Sequence, residues 1–318
     1  MVQIVGLNAV LRQLLLAMLV LLAACGRGAP PESVLKIASQ KGGTKSLMLA
    51  AHTLDGAPYR VEWSEFPSAQ TLLEALRAGA IDAGAVGDAP FMFAYASGLP
   101  AKAIAVSRAD GASTAVLVRA ASPIKTPADL KGKRIATGRG SIGHYLLLKL
   151  LEGAGLGPKD VTIVFLSPAD AKAAFASGAV DAWATWGSYV GQAVLHDHAR
   201  VLADGQGLLT GLGFEAASDA AIASKRVLLA DFVRRLAVAQ HWEAGRETDY
   251  AKVLAAETGL PPDVALFTVR KMRSTPTLID SAVLAEERAA LAEYAKAGVI
   301  ARAPAVKGAF DASLDPAR

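Results

Sequence analysis

The sequence Gly79-Ala80-Ile81-Asp82-Ala83 occurs a second time, with one conservative change, as Gly178-Ala179-Val180-Asp181-Ala182. The two copies begin 99 residues apart, at positions 79 and 178. In each copy a glycine that ends a helix precedes an apolar run, which is typical of a helix followed by a buried strand. Phe66 and Ser68 recur as Phe165 and Ser167 at the same distance, and in each copy the serine is predicted to cap the following helix. The sequence therefore contains an internal repeat of about a hundred residues.

The repeat extends upstream to two glycine turns. Residues 35–39 form a strand pattern before Gln40-Lys41-Gly42-Gly43-Thr44, and Arg134–Thr137 form one before Gly138-Arg139-Gly140-Ser141. Each turn opens into a helix pattern with apolar residues at 3.6-residue spacing. Two βαβα units predict two similar α/β lobes, each with a largely parallel, doubly wound sheet. Ligands of such sheets bind at the carboxyl ends of the strands, so four loops should surround one cleft.

The lobes are predicted to be joined by two crossovers that form a hinge. The repeat pattern ends near residues 115–123, and the chain returns to the first lobe near residues 213–218. This gives a first lobe over 34–118, a second lobe over 119–214, and a return to the first lobe with C-terminal helices over 215–318. Asp82 and Asp181 occupy matching places before a strand in the two lobes, and we interpret both as structural.

Composition excludes several classes of protein. The chain has 318 residues, which is enough for two domains. Hydrophobic residues make up 53% of it and charged residues 19%, a composition that excludes a disordered chain. The net charge of +4 is not concentrated in a Lys/Arg block, so nucleic acid is not an expected partner. One cysteine excludes a disulfide framework and a cysteine-based zinc site. We expect no metal and no cofactor.

The N-terminus has the pattern of a secretion signal. Residues 14–24 form an apolar run that is too short to cross a bilayer. The run ends in Leu22-Ala23-Ala24-Cys25-Gly26, which resembles a bacterial lipobox. The resemblance implies cleavage after residue 24 and a lipid anchor on Cys25, with residues 25–33 as a tether. An ordinary signal peptide with an incidental cysteine is the alternative.

The two glycine turns are candidate anion sites. Free N–H groups at a helix start favour an anion, and side chains that donate hydrogen bonds add to the effect. A plain strand-to-helix turn is the alternative for each. The candidate binding residues in these turns are Gln40, Lys41, Gly42, Gly140 and Ser141. His144, just inside the second helix, is a further candidate or an ordinary helix residue.

Other candidates follow the strands and mark the crossovers. Asp88, after Gly87, either caps a helix that begins at Pro90 or contacts the ligand. Trp183 and Trp186 stand where the first copy has glycines, and we expect both to face the cleft and cover an apolar part of the ligand. Packing inside the lobe is the alternative for both. The crossover candidates are Ser113, Thr114 and Phe214.

The sequence lacks the spacings of common catalytic sites. The five histidines show no HExxH pattern, and no GxSxG motif is present. No nucleophile and base are paired by spacing. The sequence therefore predicts a binding protein and not an enzyme.

Several ordered segments resemble the aliphatic-sulfonate/nitrate/taurine binding proteins of ABC importers, most specifically the sulfonate branch. Examples are Gln40-Lys41-Gly42, Glu65-Phe66-Pro67, Gly87-Asp88-Ala89-Pro90 and Val180-Asp181-Ala182-Trp183-Ala184. The resemblance implies a type II periplasmic-binding-protein fold, with a sulfonate in the cleft and delivery to a separate permease and ATPase. Further matching segments are Leu72-Leu73-Glu74-Ala75-Leu76, Ser122-Pro123-Ile124-Lys125-Thr126, Asp129-Leu130-Lys131-Gly132 and Pro168-Ala169-Asp170-Ala171.

By the same resemblance, several candidates fall in family loops that line the cleft. The chain departs from the family at Gly140-Ser141-Ile142-Gly143-His144, where sulfonate binders carry a run of serines before the histidine. The segment Gly211-Leu212-Gly213-Phe214-Glu215 is also atypical. The residues that the resemblance places in the cleft are Gln40, Asp88, Ser141, His144 and Trp183.

The predicted function is a monomeric, periplasmic, lipid-anchored binding protein that captures a small alkyl sulfonate-like anion. The alternative ligands are nitrate, taurine and a thiamine-pyrimidine precursor. A ligand-sensing lipoprotein is an alternative role. The rival enzyme, a thiamine-pyrimidine synthase of the same fold, relies on a pyridoxal-bearing lysine and a cysteine-rich segment, and the chain shows neither outside the lipobox.

Overall fold

A computed structural model describes residues 33–41 and 43–317. The predicted signal peptide 1–24, the anchor Cys25, most of the tether and Gly42 lie outside the described residues. Within the described ranges, no helix is both long enough and apolar enough to span a membrane. Of the described residues, 33–34 and 58–60 belong to a small unit, and 35–41, 43–57 and 61–317 belong to a large unit. In the small unit the N–H of Arg60 donates to the carbonyl of Ser33.

The described strands form two mixed sheets. The first sheet has six strands in the order β11-β4-β10-β3-β1-β2, and the second has five in the order β7-β6-β8-β5-β9. The strands of the first sheet are β1 (Val34–Gln40), β2 (Arg60–Phe66), β3 (Ala83–Gly87), β4 (Ala101–Arg108), β10 (Leu212–Ser218) and β11 (Thr275–Thr277). Those of the second are β5 (Thr114–Arg119), β6 (Arg134–Thr137), β7 (Thr162–Phe165), β8 (Ala182–Trp186) and β9 (Ala199–Asp204).

Helices cover the sheets and follow most strands directly. The described α-helices are α1 (Thr44–Ala50), α2 (Ala69–Arg77), α3 (Asp88–Ala96), α4 (Ile142–Gly153), α5 (Pro168–Ser177), α6 (Ser188–Leu195), α7 (Asp219–Trp242), α8 (Glu247–Thr258), α9 (Pro262–Met272) and α10 (Ser281–Lys296). Helix α7 contains one non-helical residue, Lys225. Helix α4 packs on the second sheet through Leu146, Leu147, Leu150 and Leu151, whereas its Tyr145 joins α3 and α10 in the core of the first sheet. Each sheet therefore has its own core, and α4 contributes to both.

This arrangement confirms the predicted two-lobe α/β fold. The chain leaves the first sheet after β4, builds the second sheet from β5 to β9, and returns to the first sheet in β10. The change of sheet lies between Arg108 and Thr114, a few residues before the predicted border, because β5 already pairs in the second sheet. An apolar run has the same composition in either sheet, so the sequence alone could not place it. The predicted lobe bounds otherwise stay a prediction.

The sheets are less parallel than the repeat predicts. Strand β10 is antiparallel to β3 and β4, and β5 is antiparallel to β8 and β9. Strands β5 and β10 are the ones that arrive from the other sheet, and the short strand β11 is antiparallel to β4 as well. Strands β5 and β10 are not joined to their neighbours by the right-handed βαβ connection that makes neighbouring strands parallel. The expectation of largely parallel sheets is therefore wrong at the two crossover strands.

The repeated aspartates play the same part in both sheets. A carboxylate oxygen of Asp82 accepts the N–H of Lys36 at 2.7 Å, and one of Asp181 accepts the N–H of Arg134 at 2.9 Å. In return, the N–H of each aspartate donates to the carbonyl of the same partner. Each pair joins the start of one strand to the residue before the next. This agrees with the structural role predicted for both aspartates.

The helix starts of the two copies differ in detail. Ser167 caps α5, since its hydroxyl oxygen accepts the N–H of Asp170 at 3.2 Å. Ser68 stands at the corresponding position before α2, but its hydroxyl contacts that of Thr71 and accepts no backbone N–H. The predicted cap is therefore present in the second copy alone.

Replacing Asp82 by alanine should destabilise the protein more than replacing Asp181. Each change removes a charged acceptor from a backbone N–H, which costs about 1–2 kcal/mol. Asp82 also forms an ion pair with Lys225, with 2.7 Å between the carboxylate oxygen and Nζ. Loss of this ion pair adds about 1 kcal/mol to the destabilisation caused by Asp82→Ala. Denaturant unfolding of the two ligand-free variants measures the difference. Equal losses would contradict a contribution from the Lys225 pair.

Candidate functional site

A cavity of about 270 Å³ lies at the carboxyl ends of strands from both sheets. Its wall contains the ends of β1, β3 and β8, the two crossovers, and the starts of several helices. Polar lining residues include Gln40, Lys41, Thr44, Ser107, Ser113, Thr114, Ser141, Ser188, Glu215, Gln240, Glu243 and Tyr250. Of the described lining residues, Lys41 alone carries a positive charge. The described part of the chain holds no group of three His, Cys, Asp or Glu side chains arranged for a metal ion.

The structure brings most of the predicted site residues to this cavity. Those that line it are Gln40, Lys41, Gly87, Ser113, Thr114, Ser141, Trp186 and Phe214. Four others, Asp88, Gly140, His144 and Trp183, are not among its lining residues. Contact of any of these residues with a ligand stays a prediction.

The start of helix α4 is fixed by a close contact with strand β8. A Cβ atom on Gly143 would lie 2.7 Å from the carbonyl oxygen of Ala184, so glycine is needed for this approach. Ser141 caps the helix, because its hydroxyl oxygen accepts the N–H of His144 at 3.1 Å. The first N–H groups of a helix have no acceptor within the helix. The N–H of Ser141 donates to the carbonyl of Gly138 at 3.1 Å, so at the cavity wall Ser141 offers its hydroxyl group and Ile142 its N–H.

A second helix, α6, also begins at the cavity. Gly187 precedes it with φ of 57°, a left-handed conformation that favours glycine. The N–H of Gly187 donates to the carbonyl of Ser113 at 2.7 Å, which ties the helix start to the first crossover. Ser188, the first residue of α6, lines the cavity. The loops after β6 and β8 thus both place the N-terminus of a helix at the cavity wall.

The first glycine turn contributes side-chain donors from the other sheet. The amide of Gln40 donates to the carbonyl of Ala85 at 3.1 Å, which links the ends of β1 and β3. Gly43 donates back to Gln40 at 2.8 Å and closes the turn. The hydroxyl of Tyr250 donates to the carbonyl of Gly43 at 3.3 Å. The turn is therefore held from both sides, with Gln40, Lys41 and Thr44 on the cavity wall.

Asp88 lies behind the wall and is neither the cap nor a lining residue. Helix α3 begins at Asp88 itself, with Gly87 at the cap position, so the predicted start at Pro90 is two residues late. Its carboxylate accepts the N–H of Ala89 at 2.6 Å and the hydroxyl of Thr210. Burial raises the pKa of Asp88 to about 6. The side chain thus connects α3 with the second crossover.

His144 supports the second glycine turn from inside the lobe. Its Nδ1 accepts the N–H of Gly140 at 3.2 Å, and its ring meets that of Phe165 edge to face. Burial, together with the charge of Arg139, lowers the pKa of His144 to about 4, so the ring is neutral near pH 7. Gly140 has φ of +66°, and a Cβ there would lie 2.4 Å from the ring of Phe93. Both residues shape the turn from behind the wall.

The two tryptophans of β8 point to opposite faces of the sheet. Trp183 is 2% exposed and packs with Phe175 and Tyr189 in the core of the second lobe. Trp186 lines the cavity and meets Tyr189 edge to face. The expected cleft position is therefore wrong for Trp183. Side chains alternate along a strand, so residues an odd number of positions apart face opposite sides.

Two buried carboxyl groups in the cavity were not predicted. Glu215 of β10 is 3% exposed, and both its oxygens lack a hydrogen-bond partner. Burial raises the pKa of Glu215 to about 8. Burial also raises the pKa of Glu243 to about 7, against the opposing charge of Arg273. A single acid inside the apolar run of β10 was the available signal for Glu215.

Two hydrogen bonds join the lobes beside the cavity. The hydroxyl of Tyr189 donates to the carbonyl of Pro67 at 3.4 Å, and the amide of Gln70 donates to the carbonyl of Arg139 at 3.2 Å. Pro67, Gln70 and Tyr189 all line the cavity. The loops of the two lobes are thus in contact at the cavity.

The ligand-free protein should lose stability as the pH rises from 7 to 8.5. The folded state keeps a proton on Glu215 up to about pH 8, whereas the unfolded chain loses it near 4.5. Because the folded state binds more protons in this range, the free energy of unfolding falls as pH rises, by about 1–2 kcal/mol with Glu243 included.

Denaturant unfolding at several pH values measures this slope, and Glu215→Gln should reduce it. The remainder comes from Glu243 and Glu287, since burial raises the pKa of these two groups as well. A wild-type stability that is flat or rises over this range would contradict a protonated Glu215.

Three comparisons place the chain among known proteins. The family model described as NMT1/THI5 like matches residues 61–239. A relative from Escherichia coli K12, named "Putative aliphatic sulfonates-binding protein", is 43% identical over 181 residues, which is 56% of this chain and 56% of the relative. The chain spans about half the length of the curated relatives it matches.

Solved structures align over more of the chain. The alkanesulfonate-binding protein SsuA from Xanthomonas axonopodis pv. citri, bound to MOPS, is 33% identical with a TM-score of 0.82, covering 89% of this chain and 99% of that one. The periplasmic aliphatic sulphonate binding protein SsuA from Escherichia coli is 33% identical with a TM-score of 0.74, covering 89% and 92%.

Proposed function

Because the chain belongs to the NMT1/THI5-like family, we propose that it is the binding protein of an ABC importer and that its cavity captures a small alkyl sulfonate. The proposal is supported by relatives and solved structures whose names describe aliphatic sulfonate and alkanesulfonate binding. The proposal also requires a site in this chain that suits a sulfonate, and the cavity is the candidate for that site.

The observation that carries the proposal is the meeting of helix starts and neutral donors at one cavity. A sulfonate is ionised at neutral pH and has three oxygens to satisfy. Helices α4 and α6 direct their first N–H groups there, with the Ser141 hydroxyl beside them. Such dipoles stabilise an anion without a buried counter-ion. Gln40 and Lys41 add donors from the first lobe.

The rest of the wall suits an alkyl group. Trp186, Ile142 and Leu212 line the cavity together with Leu47 and Leu236. Contact with this surface removes apolar area from water and stabilises the bound state by about 25 cal/mol per Å². A bare nitrate makes no such contact, so the apolar wall favours an organic sulfonate.

Export, anchoring and transport complete the proposal. The apolar run 14–24 and the lipobox-like segment ending in Cys25-Gly26 support secretion and a lipid anchor. In this proposal a monomer in the periplasm presents its loaded, closed form to a separate permease and ATPase. Ligand shifts the protein toward that form because it binds both lobes at once.

Ser141→Ala should weaken sulfonate binding about ten- to a hundredfold, because one donor to a charged oxygen is lost. Ser167→Ala is the matched control, since Ser167 caps α5 in the same way but does not line the cavity. Both variants should lose about 1 kcal/mol of stability with the cap. Calorimetric titration and thermal unfolding with ethanesulfonate, nitrate, bicarbonate and a pyrimidine precursor make the measurement.

In the wild type, a sulfonate at about 100 times its Kd should add about 2.7 kcal/mol of stability. If the pyrimidine or nitrate stabilises the protein and no sulfonate does, the proposal that the ligand is a sulfonate is wrong. Equal losses of affinity in the two serine variants would remove Ser141 from the site.

The two tryptophans should separate ligand contact from folding. Trp186→Ala should weaken sulfonate binding about tenfold by removing apolar contact at the cavity wall. Trp183→Ala should instead lower the free energy of unfolding by about 3–5 kcal/mol, because it leaves a hole in the lobe core. Titration and denaturant unfolding of both variants provide the test. A Trp186→Ala variant with unchanged affinity is the result that would contradict the assignment.

A further inference from the structure

Each of the two helices that begin at the cavity is contacted by a helix of the C-terminal segment. Helix α6 packs against α9, and helix α4 contacts α10. Both α4 and α6 contribute buried residues to the cores of the second sheet. The short strand β11 lies between α9 and α10 in the chain and pairs with β4 of the first sheet. The C-terminal segment is therefore fixed in the first lobe between its two contacts with the second lobe.

The contact between α6 and α9 is close. A Cβ atom on Gly187, which directly precedes α6, would lie 3.6 Å from the sulfur of Met272 at the end of α9. A Cβ atom on Gly191, in the middle of α6, would lie 3.1 Å from the ring of Phe267. Helix α9 therefore packs against α6 at the turn that places its N-terminus at the cavity.

The contact between α4 and α10 is polar. The carboxylate of Glu293 accepts the hydroxyl of Tyr145 at 2.7 Å and the ammonium group of Lys149 at 2.7 Å. Tyr145 and Lys149 are four residues apart and lie on one face of α4. Burial raises the pKa of Tyr145, and the Glu293 carboxylate raises it further, so the hydroxyl keeps its proton and donates. One carboxylate thus holds two side chains of the facing helix.

Aromatic rings pack beside this polar contact. Tyr294, the residue after Glu293, is fully buried, and its ring lies 5.1 Å from that of Tyr145 and 6.2 Å from that of Phe93 in α3. Phe93 in turn leaves no room for a side chain on Gly140, in the turn before α4. The first lobe therefore contacts α4 both at this turn and along the first part of the helix.

The same side of α10 reaches the hinge. Glu286 precedes Glu293 by seven residues, which is about two turns of helix, so the two carboxylates lie on one side of α10. Glu286 forms a two-point pair with Arg108, at the end of β4, where the first crossover begins. Helix α10 therefore joins the hinge to the helix whose start is the candidate anion site.

We infer that Glu293 is a positioning residue of the anion site: it holds α4 against the first lobe and so favours the arrangement in which both lobes face one cavity. Glu293 does not line the cavity itself. The inference rests on the proposed function, because the site that it positions is the proposed sulfonate site. The apparent affinity of a ligand falls with the fraction of the protein that has the binding arrangement. Loss of the contact should therefore weaken binding from outside the cavity.

Removing the charge of Glu293 tests the inference. Glu293→Gln keeps the shape of the side chain, but a neutral amide makes weaker bonds to a hydroxyl and an ammonium group. We expect propanesulfonate to bind about three- to tenfold more weakly, as for the loss of a partly exposed charged contact. Lys149→Met should weaken binding as well, and the double variant should lose less affinity than the sum of both. Calorimetric titration measures the four affinities.

Glu257→Gln is the matched control. Glu257 pairs with Lys45 at 2.6 Å, and these side chains are 32% and 24% exposed, compared with 31% and 26% for Glu293 and Lys149. The control pair joins α8 to α1, which follows β1 of the first sheet. Glu257→Gln should therefore cost a similar amount of stability and keep the affinity for propanesulfonate. Thermal unfolding of each variant establishes that it is folded.

X-ray scattering in solution supplies a readout that needs no ligand. The radius of gyration increases when two lobes move apart. Ligand-free Glu293→Gln should have a larger radius than the wild type, because one of the contacts between its lobes is weakened. Glu257→Gln should have the radius of the wild type.

The outcomes separate the inference from the proposed function. Unchanged affinity of Glu293→Gln for propanesulfonate, an equal loss in Glu257→Gln, or full additivity with Lys149→Met would each overturn the inference and leave the sulfonate proposal standing. Weaker binding with an unchanged radius still supports the positioning of α4. If the wild type binds no sulfonate, the proposed function is wrong and scattering decides the role of Glu293. A larger radius in Glu293→Gln then supports its role between the lobes, and an equal radius overturns it.

Discussion

The contact between Gly143 and the carbonyl oxygen of Ala184 determines where helix α4 can begin. Because no side chain fits between them, the helix starts against the end of β8 and its capping residue Ser141 reaches the cavity wall. His144 then accepts the N–H of Gly140 from behind, and the preceding turn becomes part of the same unit. The position of the candidate anion site therefore depends on a backbone contact that only glycine allows.

The repeat in the sequence was sufficient to predict two α/β lobes and the edge where their loops meet. Matching aspartates, Asp82 and Asp181, make the same backbone contacts in both sheets, which explains why the repeat is detectable. The direction of β5 and β10 was not predictable, because hydrophobicity does not reveal the partner of a strand that crosses between lobes. The repeat and the two crossovers together located eight cavity-lining residues but gave no sign of which side of β8 each tryptophan occupies. Strand alternation, applied to Trp183 and Trp186, would have separated them.

The cavity contains hydrogen-bond donors with partial positive charge on one side and buried carboxyl groups on the other. At one side, helix starts and Ser141 offer partial positive charge to an anion. At the other, Glu215 is buried among small and apolar residues and keeps its proton at neutral pH. A neutral acid avoids most of the cost of a buried charge, but it leaves unsatisfied oxygens that water or a ligand must meet.

The cavity loops and both crossovers share one partly buried polar network. Arg108, at the end of β4, donates to the carbonyl of Thr210 at 2.8 Å and forms a two-point pair with Glu286. The hydroxyl of Thr210 donates to Asp88, which directly follows the cavity residue Gly87. The first crossover begins after Arg108 and the second contains Thr210, so a displacement of either crossover changes the contacts of the residue that anchors α3. Asp88 thus connects the second crossover with the start of α3, directly after the cavity residue Gly87, without lining the cavity itself.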